Sequence, residues 1–223
     1  MRMLAVFRKG ERLRHIGHLD IMRAMQRALR RSGVPVAYSN GFNPHILLTF
    51  ASALSVGASG ERELMDVTLS REMTPEDFVA TMNRALPPEM QLVSARALDD
   101  RHPALMAMVQ AADYRITLLD AQAAESCRAV LPAFLAREEI LAERKTKSGV
   151  KEVNIRPWIF ELSMEGGTLH AVLALSETEN CKPDMLVTAL CADAGCEKPR
   201  FGVTRLGLLG RGADGQLAAL ETL

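Results

Sequence analysis

From Gly17 to Pro35 the chain carries a complete set of helix instructions, and this segment constrains the fold more than any other. Ile21, Met22, Met25, Ala28 and Leu29 recur at three- and four-residue spacing, which puts them on one face of a helix from about His18 to Ser32. Gly17 fits the N-cap, Asp20 at the third helical position complements the positive end of the helix dipole, and Ile16 with Ile21 can staple the entry. Gly33 supplies a left-handed exit and Pro35 blocks continuation.

The same helix is patterned by charge. Arg23, Arg27, Arg30 and Arg31 form a stripe opposite the apolar face, with Asp20 as its one acid. Met1–Phe50 holds nine Lys and Arg against two acids, in a chain of 223 residues whose formal net charge is zero. The start is therefore basic and the remainder acidic. Arginine presents a planar fork of donors suited to phosphate, and a row of them one helical turn apart matches a polyanion. A solvated helix face is the plainer reading, but such faces mix signs more evenly than this one.

Strand and helix signals continue in a regular order. Met3–Phe7 reads as a strand, Val34–Tyr38 and His45–Ala53 as extended segments, and Glu63–Leu69 as an alternating strand. Thr74-Pro75-Glu76-Asp77 opens a second helix that ends before Pro87-Pro88, and Met90–Ala97 closes the set. The second half repeats the order. It comprises a strand at Asp113–Leu119 and a helix at Ala121–Arg137, whose later turns Pro132 threatens. A hairpin follows at Ile140–Ile155, turning at Lys147-Ser148-Gly149, then another from Trp158–Met164 to Leu169–Leu175. A helix at Pro183–Ala192 and a strand at Arg200–Leu209 complete the pattern. The expected fold is α+β, with two tandem ferredoxin-like (βαββαβ) units at 1–100 and 111–209, the second with an extra hairpin, and a loosely held tail at 210–223.

A second basic cluster falls on the predicted hairpin: Arg144, Lys145, Lys147, Lys151 and Arg156, opposed within that span only by Glu152. It can reach along nucleic acid, or it can simply guard an exposed strand edge. Tyr38, Phe42 and Trp158 are the nearby aromatics, short of the stacking platforms of an RRM, so backbone or shape recognition is expected over base reading. Between the clusters, Gly41-Phe42-Asn43-Pro44-His45 reads as a rigid turn. Gly41 permits positive φ, Pro44 fixes the exit, Phe42 packs beneath, and backbone donors near Asn43 and His45 can meet an anion.

His15, His18 and His45 are the weak catalytic candidates, as a general base in RNA cleavage. The plainer reading makes them structural or partner contacts. His18 and Asp20 stand two apart on a helix and point in different directions, and no H-E-x-x-H or carboxylate cluster completes a metal shell. No P-loop, dinucleotide-binding glycine pattern or nucleophile elbow occurs, and no cofactor is expected in this chain. Cys127, Cys181, Cys191 and Cys196 form no C-x-x-C pair and read as reduced thiols of a cytoplasmic protein. No run approaches a membrane span, and the start is too short and too charged for a signal peptide.

The series F-R-K-G at Phe7–Gly10, G-H-L-D at Gly17–Asp20, R-A-L-R-R at Arg27–Arg31 and Y-S-N-G-F-N-P-H at Tyr38–His45 resembles the bacterial radical-SAM-linked domain of unknown function. K-E-V-N-I-R-P at Lys151–Pro157 is similar to that family as well, while Gly17 departs from the Ser expected there. The resemblance implies a companion of a radical-SAM protein, often one with a cobalamin-binding region. It implies no activity for particular residues. This chain lacks a cysteine triplet for the cluster, so radical chemistry would belong to a separate partner.

Three functional readings follow. The first is an RNA-binding accessory protein presenting a structured RNA, such as tRNA or rRNA, to a radical-SAM partner. The second is a protein-interaction module that docks on that enzyme without RNA. The third is a metal-independent RNA-processing enzyme.

Overall fold

A computed structural model describes residues 1–146, 149–196 and 200–223, without the side chains of residues 145 and 146. The chain divides into two compact units, Met1–Val109 with Arg205–Leu223, and Gln110–Thr204. Both are mixed α+β, built on mostly antiparallel sheet.

The first unit runs β1 (Arg2–Lys9), α1 (His18–Ser32), β2 (Leu48–Phe50), β3 (Ala58–Thr68), α2 (Pro75–Ala85), β4 (Leu92–Leu98) and a single-turn α3 (Leu105–Met108). β1 lies between β3 and β4 and is antiparallel to both, with Ala5 opposite Met65 on one side and Ala95 on the other. β2 pairs antiparallel with β3, Thr49 opposite Asp66. The helix α1 has the predicted bounds: Gly17 is extended at the N-cap and Gly33 takes φ +76° at the exit. Its buried Ile21, Met25, Ala28 and Leu29 join Met3, Ala5, Phe7, Met65 and Val67 of the sheet and Phe78 and Met82 of α2 in one core. Thr74 caps α2, its hydroxyl accepting from the Asp77 amide at 3.1 Å.

In the second unit the order is β5 (Ala111–Leu118), α4 (Ala121–Leu135), β6 (Leu141–Thr146), β7 (Gly149–Asn154), β8 (Ile159–Glu165), β9 (Thr168–Ala174) and α5 (Pro183–Asp193). β9 lies between β5 and β8, antiparallel to both, while β6 and β7 form a separate two-stranded ribbon. Pro132 does not end α4. The helix continues to Leu135 because Leu131 and Phe134 are buried on its inner face and hold the last turn. Lys147 and Ser148 of the predicted hairpin tip lie outside the described residues.

β10 (Phe201–Arg211) begins in the second unit, and its residues from Arg205 onward belong to the first. In the first unit the strand order is β4-β1-β3-β10, and in the second β10-β5-β9-β8. β11 (Leu217–Ala219) then pairs with β10, Leu209 opposite Ala219. The segment expected to be a loose tail is firmly anchored. Leu220 is fully buried, Arg62 pairs with Glu221, and Arg96 donates to the Glu221 carbonyl at 2.7 Å. A Cβ on Gly210 would come within 2.9 Å of both Leu220 and Leu223. The physical reason lies in β1, where Met3, Leu4, Ala5, Val6 and Phe7 are all buried. A strand that is apolar on both faces needs a second cover opposite its helices.

Candidate functional site

The core-facing residues of α1 fix its outward face, and all four predicted arginines stand exposed on it. They are not equivalent. Arg23 pairs with Asp20 at 3.1 Å, and Arg31 donates to the Ala85 carbonyl at 2.8 Å. Among the described residues, Arg27 and Arg30 make no ion pair and no side-chain hydrogen bond. On α1 they are the two arginines without a side-chain partner among the described residues.

Downstream of α1, Val36 bridges Leu69 and Tyr38 bridges Ile46, and the chain then closes a short loop. The Ser39 amide donates to the His45 carbonyl at 2.8 Å and the His45 amide to Ser39 Oγ at 3.1 Å. His45 Nδ1 lies 2.8 Å from the same hydroxyl. Gly41 takes φ +117°, as the turn requires. Phe42 was expected to pack beneath this turn; instead it is fully exposed, as are Asn43 and His45. The Ser39–His45 bonds close the loop beyond the last bridge, so residues 40–44 have no core beneath them.

At the other end of α1 lies a cluster that sequence reading missed. Lys9, at the end of β1, is buried, and its Nζ donates to the carbonyls of Arg14 at 3.1 Å and Ala58 at 3.0 Å. Arg205 grips Glu63 with two bonds, Nε to Oε1 at 2.8 Å and Nη2 to Oε2 at 2.5 Å, and reaches Ser52 Oγ at 3.4 Å. Gly60 makes room for that carboxylate, since a Cβ there would lie 2.6 Å from Glu63 Oε1. His18 packs edge-on against Phe50 with ring centroids 5.3 Å apart, and both rings border a small cleft with Lys9, Ser52 and Glu63. Burial pushes the Lys9 ammonium and the His18 imidazole below their ordinary pKa values; Glu63 opposes this and Arg205 reinforces it. The cluster thus presents a neutral imidazole at the start of the arginine helix. Lys9 shares the parity of Met3, Ala5 and Phe7, which is the one sequence signal of its burial.

The three candidate histidines engage different neighbours. His15 is exposed and accepts from Arg14 Nε at 3.1 Å, His18 meets Phe50 and His45 meets Ser39. No group of three or more His, Cys, Asp or Glu side chains positioned to hold a metal ion occurs among the described residues.

The ribbon does not present one basic surface. Arg144 stands opposite Lys151 and Glu143 opposite Glu152, and residues directly opposed share a face, so Arg144 and Lys151 lie on one face while the register puts Lys145 on the other with both glutamates. Arg144 lies over the Trp158 ring at 5.9 Å. Arg156 is committed to the carbonyls of Leu135 at 3.2 Å and Ile159 at 3.4 Å. Glu143, Arg144, Lys182 and Asp184 line a groove of about 590 Å³ between β6 and α5, of mixed sign. The side chains of Lys145 and Lys147 lie outside the described residues.

No helix among the described residues is long and apolar enough to cross a membrane. Residues 2–183 match the model of a family described as uncharacterized protein conserved in bacteria (DUF2344). No curated protein matches the chain.

Proposed function

We propose, for a chain that belongs to this family of uncharacterized bacterial proteins, that it is a cytoplasmic RNA-binding accessory protein. It would hold a structured RNA, such as tRNA or rRNA, for a separate radical-SAM partner, one able to bind cobalamin. The observation that carries the RNA reading is the outward face of α1, where Arg27 and Arg30 stand exposed on a helix held by its buried face and ended by left-handed Gly33. Phosphate contacts fix position and supply salt-dependent affinity without reading sequence. The order β4-β1-β3 with β2 also paired to β3, and the order β10-β5-β9-β8, support reading the two units as tandem ferredoxin-like repeats. The radical-SAM partner rests on the resemblance of Phe7–Gly10, Gly17–Asp20 and Tyr38–His45, not on geometry.

The test is retention of total cellular RNA by the purified full chain across a salt series. Retention at low salt that falls steeply as salt rises supports the reading. Absence of retention even at low salt contradicts it and favours a docking module whose arginine face meets an acidic protein surface.

A further inference from the structure

We infer that Phe42 is a stacking platform for an unpaired RNA base, so that the first unit takes single-stranded or looped RNA in preference to duplex. This rests on the RNA-binding reading of the same unit and narrows its ligand. A phenylalanine with its whole side chain in water forgoes the burial that normally fixes such a residue. The loop carrying it is not slack, because Ser39 and His45 close it with backbone and side-chain bonds on both strands.

The chemistry around the ring narrows the occupant. From Gly33 to Gly60 the sequence contains no Asp, Glu, Lys or Arg. Phe42 is flanked by Asn40, Gly41 and Asn43, all exposed, with exposed Tyr38 and His45 at the base of the loop. A protein hot spot needs an apolar patch around its aromatic anchor, sealed from water by its neighbours. Exposed Tyr38 and Leu47 sit at the base of the loop, but at its tip the ring stands between the amides of Asn40 and Asn43, which suit the edges of a base lying on it. Every base offers a π-face, so such a platform is tolerant of sequence. Elsewhere along the same RNA, phosphates would be met by the exposed arginines of the preceding helix. A base inside a duplex is already stacked on both faces and cannot use the ring.

The experiment compares wild type, Phe42→Ala and Phe42→Trp, each as the full chain, for binding to a fluorescent single-stranded RNA and to a blunt duplex of the same composition. Phe42→Ala is expected to weaken single-strand binding about tenfold or more and leave duplex binding unchanged. Phe42→Trp is expected to keep the affinity, with emission of the new indole quenched by the stacked base. Thermal melting should match in all three, because the ring contributes no packing. Wild-type binding to single strands that Phe42→Ala does not reduce would overturn the platform and leave the RNA reading standing. An equal loss on both ligands would overturn the preference for unpaired bases. Absence of wild-type binding to either would remove the RNA reading and this inference together.

Discussion

Arg205 and Glu63 form a two-bond ion pair across 142 residues of sequence, with side chains 1% and 4% exposed. The pair ties the last long strand of the chain to β3 within the first unit. Removing one partner of such a pair leaves the other buried and uncompensated. Glu63→Gln is therefore expected to cost about 3–5 kcal/mol. Replacing both residues with apolar side chains of similar volume should cost less than the single change. Chemical denaturation of the three variants checks this, and a single change as mild as the double would contradict it.

Leu220 makes the C-terminal segment part of the core. Leu220→Ala is expected to destabilise the protein by about 2–5 kcal/mol, the range for a fully buried leucine. A variant that melts with wild type would show the segment to be dispensable.

Cys127 and Cys191 lie with sulfurs 3.6 Å apart where α4 packs on α5. Burial pushes both thiols above their ordinary pKa, and raises Cys181 to about 12, whereas Cys196 is half-exposed. Thiolate is the reactive form, so native protein should titrate one fast thiol with an aromatic disulfide reagent. The remaining three of the four should react only after unfolding. Fast reaction of Cys127 or Cys191 would contradict the packing of α4 on α5.

His18 titrates below an ordinary histidine because burial disfavours its charged form, with Glu63 pulling the other way. Above about pH 6.5, the unfolded value, the imidazole is neutral in both states and its environment costs nothing. As pH falls through the lowered folded value, the unfolded chain binds the proton first and stability drops. His18→Gln should flatten that acid-side loss between wild-type and variant denaturation curves. Identical curves for the two would contradict the assigned direction.

Local rules account for much of the fold. The α1 boundaries were legible because Gly17, Gly33, Pro35 and the Ile21–Leu29 spacing all point the same way, and Thr74-Pro75 marked α2 equally well. The cover over β1 was not legible as such, since its continuous apolar run implies two buried faces but does not say what lies on the second. Glu63, Arg205 and Lys9 read as ordinary surface charges because their partners are distant in sequence, and only tertiary pairing makes burial tolerable. Phe42 departs from expectation for the opposite reason: an aromatic in a turn suggests packing, and only the closure of the loop at Ser39 and His45 carries it outward. The basic run from Arg144 to Arg156 looked like one surface until strand register divided it between two faces.

We propose that the outward face of α1 meets phosphate. The most direct test is the salt dependence of RNA binding by wild type beside the Arg27→Glu/Arg30→Glu variant. Both positions are exposed, so the variant should melt as wild type does. It is expected to bind far more weakly, with a log–log salt slope shallower by about two, one for each lost phosphate contact. A variant that binds RNA with unchanged affinity and slope would contradict the account.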